Sequence, residues 1–125
     1  KDLFGLGFLK EAFYSGVREK LLEVANIMDS MPETYGQDGL SAEDKTVYLR
    51  YSLERNGRTI GEWFILEKDM SGDKHLQAFG LVQLSGNYPE LGYINIAELH
   101  TRKDLKIDLD FKPTSLAAIQ SQLAA

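Results

Sequence analysis

Four carboxylates carry most of the chemistry that this chain's sequence could support: Glu67, Glu90, Glu98 and Asp108. Glu67 closes the apolar run "WFILE". Glu90 and Glu98 bracket "LGYINIA", and Asp108 sits inside the alternating "LKIDLDF". Carboxylates on neighbouring strands can converge to hold Mg²⁺ or act as an acid/base pair. The structural alternative is preferred, because ordinary ion pairs produce the same clusters. In it Glu90 caps a turn after Pro89, Glu98 pairs with "HTRK" (His100–Lys103), and Asp108 is solvated. Other chemistries lack their residues. The chain has no cysteine, which excludes disulfides, thiolate zinc sites and cysteine nucleophiles. "FGLGF" has G-x-G without a preceding strand or a third glycine. His75 and His100 are not spaced as a zinc pair, and no nucleophile elbow marks a serine. No catalytic residue is assigned, and no cofactor is expected.

Charge narrows the partners. The formal net charge is -5. Residues 1–45 hold 5 basic and 9 acidic groups, residues 46–84 hold 5 and 5, and residues 85–125 hold 4 and 5. The acid excess therefore lies in the first third, and the broad basic footprint of a phosphate-binding protein is missing. Nucleic acid is a possible partner that charge does not favour. No apolar run is long enough for a bilayer, and "KDLFGLGFLKEAF" is too charged for a secretory core, so a cytoplasmic location is expected.

The elements that must position these residues follow from periodicity. A single domain over 1–125 is expected: a helical segment to residue 31, an antiparallel sheet over 46–113 and a helix over 114–125. Leu9, Phe13, Val17, Leu21, Val24, Met28 and Met31 recur at three and four residues, the stripe of an amphipathic helix. Ser15-Gly16 predicts a kink or a break in it. "TVYLRYSLE" alternates as a strand, and Asn56-Gly57 supplies a type I′ turn into "TIGEWFILEK". Uninterrupted pairing about that turn sets Tyr51 opposite Glu62 and Arg50 opposite Trp63, a cation–π pair. "DMSGDK" predicts a further turn, and Gly80 in "HLQAFGLVQL" predicts a bulge or a close approach. "LGYINI" and "LKIDLDF" complete about five strands. Thr114 or Ser115 caps the last helix. The fold class is α+β: an N-terminal helix on the single oily face of a meander, with a helix at the end.

"AFGLVQLSGNYPELGYINIAEL…DLDFKP" resembles a bacterial family, domain of unknown function 2958. The shared pattern is Ala78–Leu81, Pro89–Tyr93, Ala97–Leu99 and Asp108–Pro113, with Trp63–Glu67 upstream. Ala97 departs from a common serine, and "HTRKDLKI" replaces a glycine-proline connection. The resemblance covers about residues 46–119. It implies a plasmid, phage or other mobile-element setting, and no established activity comes with it. The matched pattern includes Glu67, Glu90, Glu98 and Asp108, with Gly92 and Glu90 otherwise read as turn requirements.

Three functions follow as expectations. The first is a non-enzymatic interaction module that engages a host or mobile-element protein. Its candidate binding residues are Trp63, Tyr93, Arg102 and Lys112, and Tyr14, Tyr35 and Tyr48 add exposed aromatic potential. The second is a metal-dependent enzyme acting on nucleic acid, with the four carboxylates as ligands and Lys112 on a phosphate. The third is nucleic-acid binding through Arg50, Arg58, Arg102, Lys103 and Lys112.

Overall fold

A computed structural model of the chain describes residues 6–33, 36–68, 77–99 and 101–124, with side chains from residue 17 onward except that of Ala97. The predicted 69–74 turn, His75, His100, Tyr35 and the Tyr14 side chain lie outside the described residues. The elements run α1 (Leu6–Ser30), β1 (Thr46–Val47), β2 (Leu49–Arg55), β3 (Arg58–Lys68), β4 (Gln77–Leu84), β5 (Glu90–Asn95), α2 (Ile96–Leu99), β6 (Leu105–Ile107), β7 (Thr114–Ser115) and α3 (Leu116–Ala124). Five strands form an antiparallel sheet in the order β5-β4-β3-β2-β6. β1 leaves that sheet at Tyr48 and pairs with β7. The α+β class predicted from periodicity is the observed one.

Local sequence explains most boundaries. α1 runs through Ser15-Gly16 without the predicted break. It has no basic residue in its last turn. A cation from the sheet does that work: Lys68 Nζ donates to the carbonyls of Met28 at 3.0 Å and Asp29 at 2.7 Å. Asn56 (φ 52°) and Gly57 (φ 77°) are both left-handed, as the predicted hairpin turn requires. Ser115 Oγ accepts from Ala118 N–H at 3.1 Å and caps α3.

The turn is as predicted and the register is not. Leu53 pairs with Gly61 while Glu54 pairs with Thr59, so Ile60 has no partner. This bulge moves every later pair by one residue. Tyr51 therefore lies opposite Trp63, Ser52 opposite Glu62, and Arg50 opposite Phe64. The predicted Arg50–Trp63 stacking does not form, because the two side chains point to opposite faces. Further along β3, Ile65 pairs with Gly80 and Glu67 with Phe79, so Leu66 is likewise unpaired.

Both faces of the sheet are covered, where one was expected. On the first face Leu49, Tyr51, Leu53, Trp63, Ile65, Ala78 and Ile94 pack with Val24 of α1, with Met31 just after it and with Leu99. On the second face Phe64, Leu66 and Leu81 pack with Val47 and with Leu116 and Ile119 of α3. The central strand shows this directly: Trp63, Phe64, Ile65, Leu66 and Glu67 are consecutive and all buried.

Gly80 is the close approach that its position suggested. A Cβ there would stand 2.2 Å from the Phe64 carbonyl oxygen. Gly92, across the strand pair from Gly80, would place its Cβ in open space, and its φ is not positive. It lies within β5 and is no turn requirement. Gly80→Ala is predicted to lower unfolding stability by about 3 kcal/mol, the upper range for overpacking. Gly92→Ala should leave the urea midpoint near wild type. Equal midpoints for the two variants would contradict this packing.

Candidate functional site

The structure does not bring the four carboxylates together. Glu67 is buried near the end of β3, and Glu90 is exposed at the start of β5 opposite Val82. Glu98 is exposed on α2, where Asn95 Oδ1 caps its N–H at 2.9 Å. Asp108 follows β6 at the far edge of the sheet. Strands β5 and β6 are separated by three others, which sets them about 19 Å apart at ordinary strand spacing. Among the described residues no group of three or more His, Cys, Asp and Glu could hold a metal ion. Glu90 lies in a strand rather than capping a turn. Glu98 makes no ion pair with Arg102 or Lys103; its carbonyl accepts from Thr101 Oγ1 at 2.6 Å instead.

Two of the carboxylates hold polar networks. Without the bulge at Leu66, alternation would aim Glu67 at α1. With it, Glu67 turns to the second face and accepts from the Gln37 backbone N–H at 3.1 Å. Gln37 is itself buried. Its Nε2 donates to the carbonyls of Thr46 (3.0 Å) and Leu66 (3.1 Å), and its Oε1 accepts from Thr46 N–H at 2.6 Å. One side chain thus ties the loop after α1 to β1 and β3 and satisfies three buried backbone groups. In the sequence Gln37 is one polar residue in a glycine-rich loop, and no spacing marks it.

The second network is Arg50 with Glu62 and Asp108. Arg50 Nε and Nη2 each lie 2.8 Å from Glu62 Oε2, and Nη1 lies 3.4 Å from Asp108 Oδ2. All three side chains are half-buried. Asp108 is therefore paired, not merely solvated, and its N–H also donates to the Arg50 carbonyl at 2.9 Å. The arrangement joins β2, β3 and the segment after β6, and gives each of the two half-buried carboxylates a cationic partner.

The binding candidates divide sharply. Trp63 is 8% exposed in the core beneath α1, so it is closed to a partner. Tyr48 is half-buried against the same core. Tyr51 is buried there too, and burial pushes its hydroxyl above the ordinary value. Arg102 is exposed beside an apolar cleft between α1 and β6 lined by Leu21, Val24, Met28 and Ile107. Lys112 is exposed, 3.8 Å from Glu23. Tyr93 is 56% exposed. Its ring meets Phe79 edge-on at 5.6 Å, and on the same face Leu91, 43% exposed, lies opposite buried Leu81. Phe79, Leu91 and Tyr93 thus make an apolar strip along β5, beyond the cover of α3. β5 ends the sheet, and no described strand pairs with its outer edge.

Comparison of the chain with protein-family models, with curated proteins and with solved structures finds no match.

Gln37→Leu keeps side-chain volume and removes all three side-chain hydrogen bonds. It is predicted to cost about 3 kcal/mol in urea unfolding, from backbone groups left buried and unpaired. Glu43→Ala, in the same loop but exposed, should change stability by less than about 0.5 kcal/mol. A Gln37 variant as stable as wild type would contradict the clamp.

Proposed function

We propose that this chain is a non-enzymatic protein-interaction module, and that it receives an extended segment of its partner along the outer edge of β5. The observation that carries the reading is the coincidence of a sheet edge that no described strand extends with the exposed Leu91 and Tyr93. A strand edge offers a row of backbone donors and acceptors, and natural proteins usually blunt it with charge or proline. Here Pro89 and Glu90 blunt only the start of β5, and beyond them Leu91 and Tyr93 leave an apolar strip beside the edge. Strand addition would draw affinity from the backbone and specificity from pockets around Phe79, Leu91 and Tyr93. The separation of Glu67, Glu90, Glu98 and Asp108 favours this choice over a metal-dependent enzyme. An accessory, cytoplasmic role in a plasmid or other mobile element, with a host or mobile-element protein as partner, rests on the sequence resemblance of residues 78–113. Among the described residues no helix is long and apolar enough to cross a membrane.

The test is quantitative capture from a bacterial lysate with wild type and with Leu91→Lys/Tyr93→Glu, followed by affinity measurement on the purified partner. Loss of an aromatic anchor should cost about 2 kcal/mol, roughly thirtyfold in Kd, with the melting curve unchanged. A partner held equally well by both proteins would contradict this placement of the surface.

A further inference from the structure

The sheet sorts charge along its strands. Residues 29–44 carry five carboxylates, Asp29, Glu33, Asp38, Glu43 and Asp44, against two cations at the same end, Lys45 and Lys68. They sit where β2 begins and β3 ends: Lys68 N–H donates to the Pro32 carbonyl at 3.0 Å, and Gln37 reaches Leu66. The opposite end holds the β2–β3 turn and the segment entering β6, brought side by side by the Leu53–Leu105 pairing. Residues 54–58 and 101–106 carry five cations, Arg55, Arg58, Arg102, Lys103 and Lys106, against two carboxylates, Glu54 and Asp104. Those two carboxylates sit only at the margin of pairing distance, 3.5 Å from Lys106 and 3.6 Å from Arg55. Among the described residues no carboxylate lies within 4.0 Å of Arg58, Arg102 or Lys103. All five cations are exposed. The β4–β5 turn shares this end, since Ser85 N–H donates to the Ile60 carbonyl at 3.0 Å. On that turn Tyr88 is 90% exposed, and Glu90 two residues on is exposed as a third carboxylate at this end.

We propose that this end of the sheet is a binding surface for single-stranded nucleic acid. The guanidinium forks match phosphate oxygens, and an exposed tyrosine at the same end of the sheet offers the stacking element that unpaired bases require. An acidic protein segment would satisfy the cations and leave Tyr88 without a role. The acidic end repels the same strand, so the protein meets it at one end only and the footprint is short. The overall negative charge, which speaks against a broad phosphate footprint, leaves this local one intact.

The test is fluorescence anisotropy of a labelled oligo-dT strand at several salt concentrations. Wild type should bind at low salt, and affinity should fall as salt rises. Arg58→Gln/Arg102→Gln/Lys103→Gln should weaken binding and flatten the log–log salt slope by about 2, or about 0.7 for each lost contact. Tyr88→Ala should weaken binding at every salt concentration without changing the slope. Glu43→Gln/Asp44→Gln, at the far end, should leave the slope unaltered. Absence of binding at low salt overturns the proposal, as does a triple variant that melts and binds like wild type. A duplex bound as tightly as the single strand, or displacement by polyglutamate at equal charge, overturns the assignment of ligand.

Discussion

A β-strand shows its side chains alternately to two faces, so one unpaired residue exchanges the faces of everything beyond it. Strand β3 contains two such residues, Ile60 and Leu66, and it is the central strand of the sheet. The first places Trp63 and Ile65 with Tyr51 and Leu49 beneath α1, and leaves Arg50 and Glu62 together on the other side. The second returns the alternation. Glu67 then faces the loop that carries Gln37, and Lys68 faces the end of α1. Each of the two ionic arrangements inside the fold depends on one of these insertions.

Covering both faces has a further consequence. α1 and α3 occupy opposite sides of the sheet, so its surface is almost used up. What remains for recognition is the rim: the outer edge of β5, and the two ends where turns collect. Antiparallel strands send successive connections to alternate ends. The chain's acidic loop and its basic turns are therefore separated by the length of the sheet.

Much of this architecture was legible from residue pattern. The helical stripe, the left-handed Asn56-Gly57 pair, the tight fit at Gly80 and the cap at Ser115 are local physics, and local physics is written in neighbouring residues. The bulges are different. Ile60 looks like any strand residue, and only tertiary burial decides that it is skipped so that Trp63 reaches the core. Uninterrupted alternation therefore puts Gly61 to Leu66 on the wrong face, and with them the Arg50–Trp63 contact, until the second bulge restores Glu67 and Lys68. The candidate site was less legible still. Of the aromatic binding candidates Tyr93 is exposed, whereas Trp63 is buried between the sheet and α1. Gln37 had no signal, because a buried glutamine is defined by the backbone groups that close around it. The carboxylates share a motif in sequence but stand on β3, on β5, on α2 and after β6.

The most direct measurement is the pattern of nuclear Overhauser contacts across the β2–β3 hairpin. The account predicts contacts between the Tyr51 ring and the Trp63 indole, on one face beneath α1. It predicts none between the Trp63 indole and the Arg50 side chain. Contacts joining Trp63 to Arg50, with Tyr51 beside Glu62, would mean that Ile60 is paired, and would contradict the assignment of faces on which the packing of α1 rests.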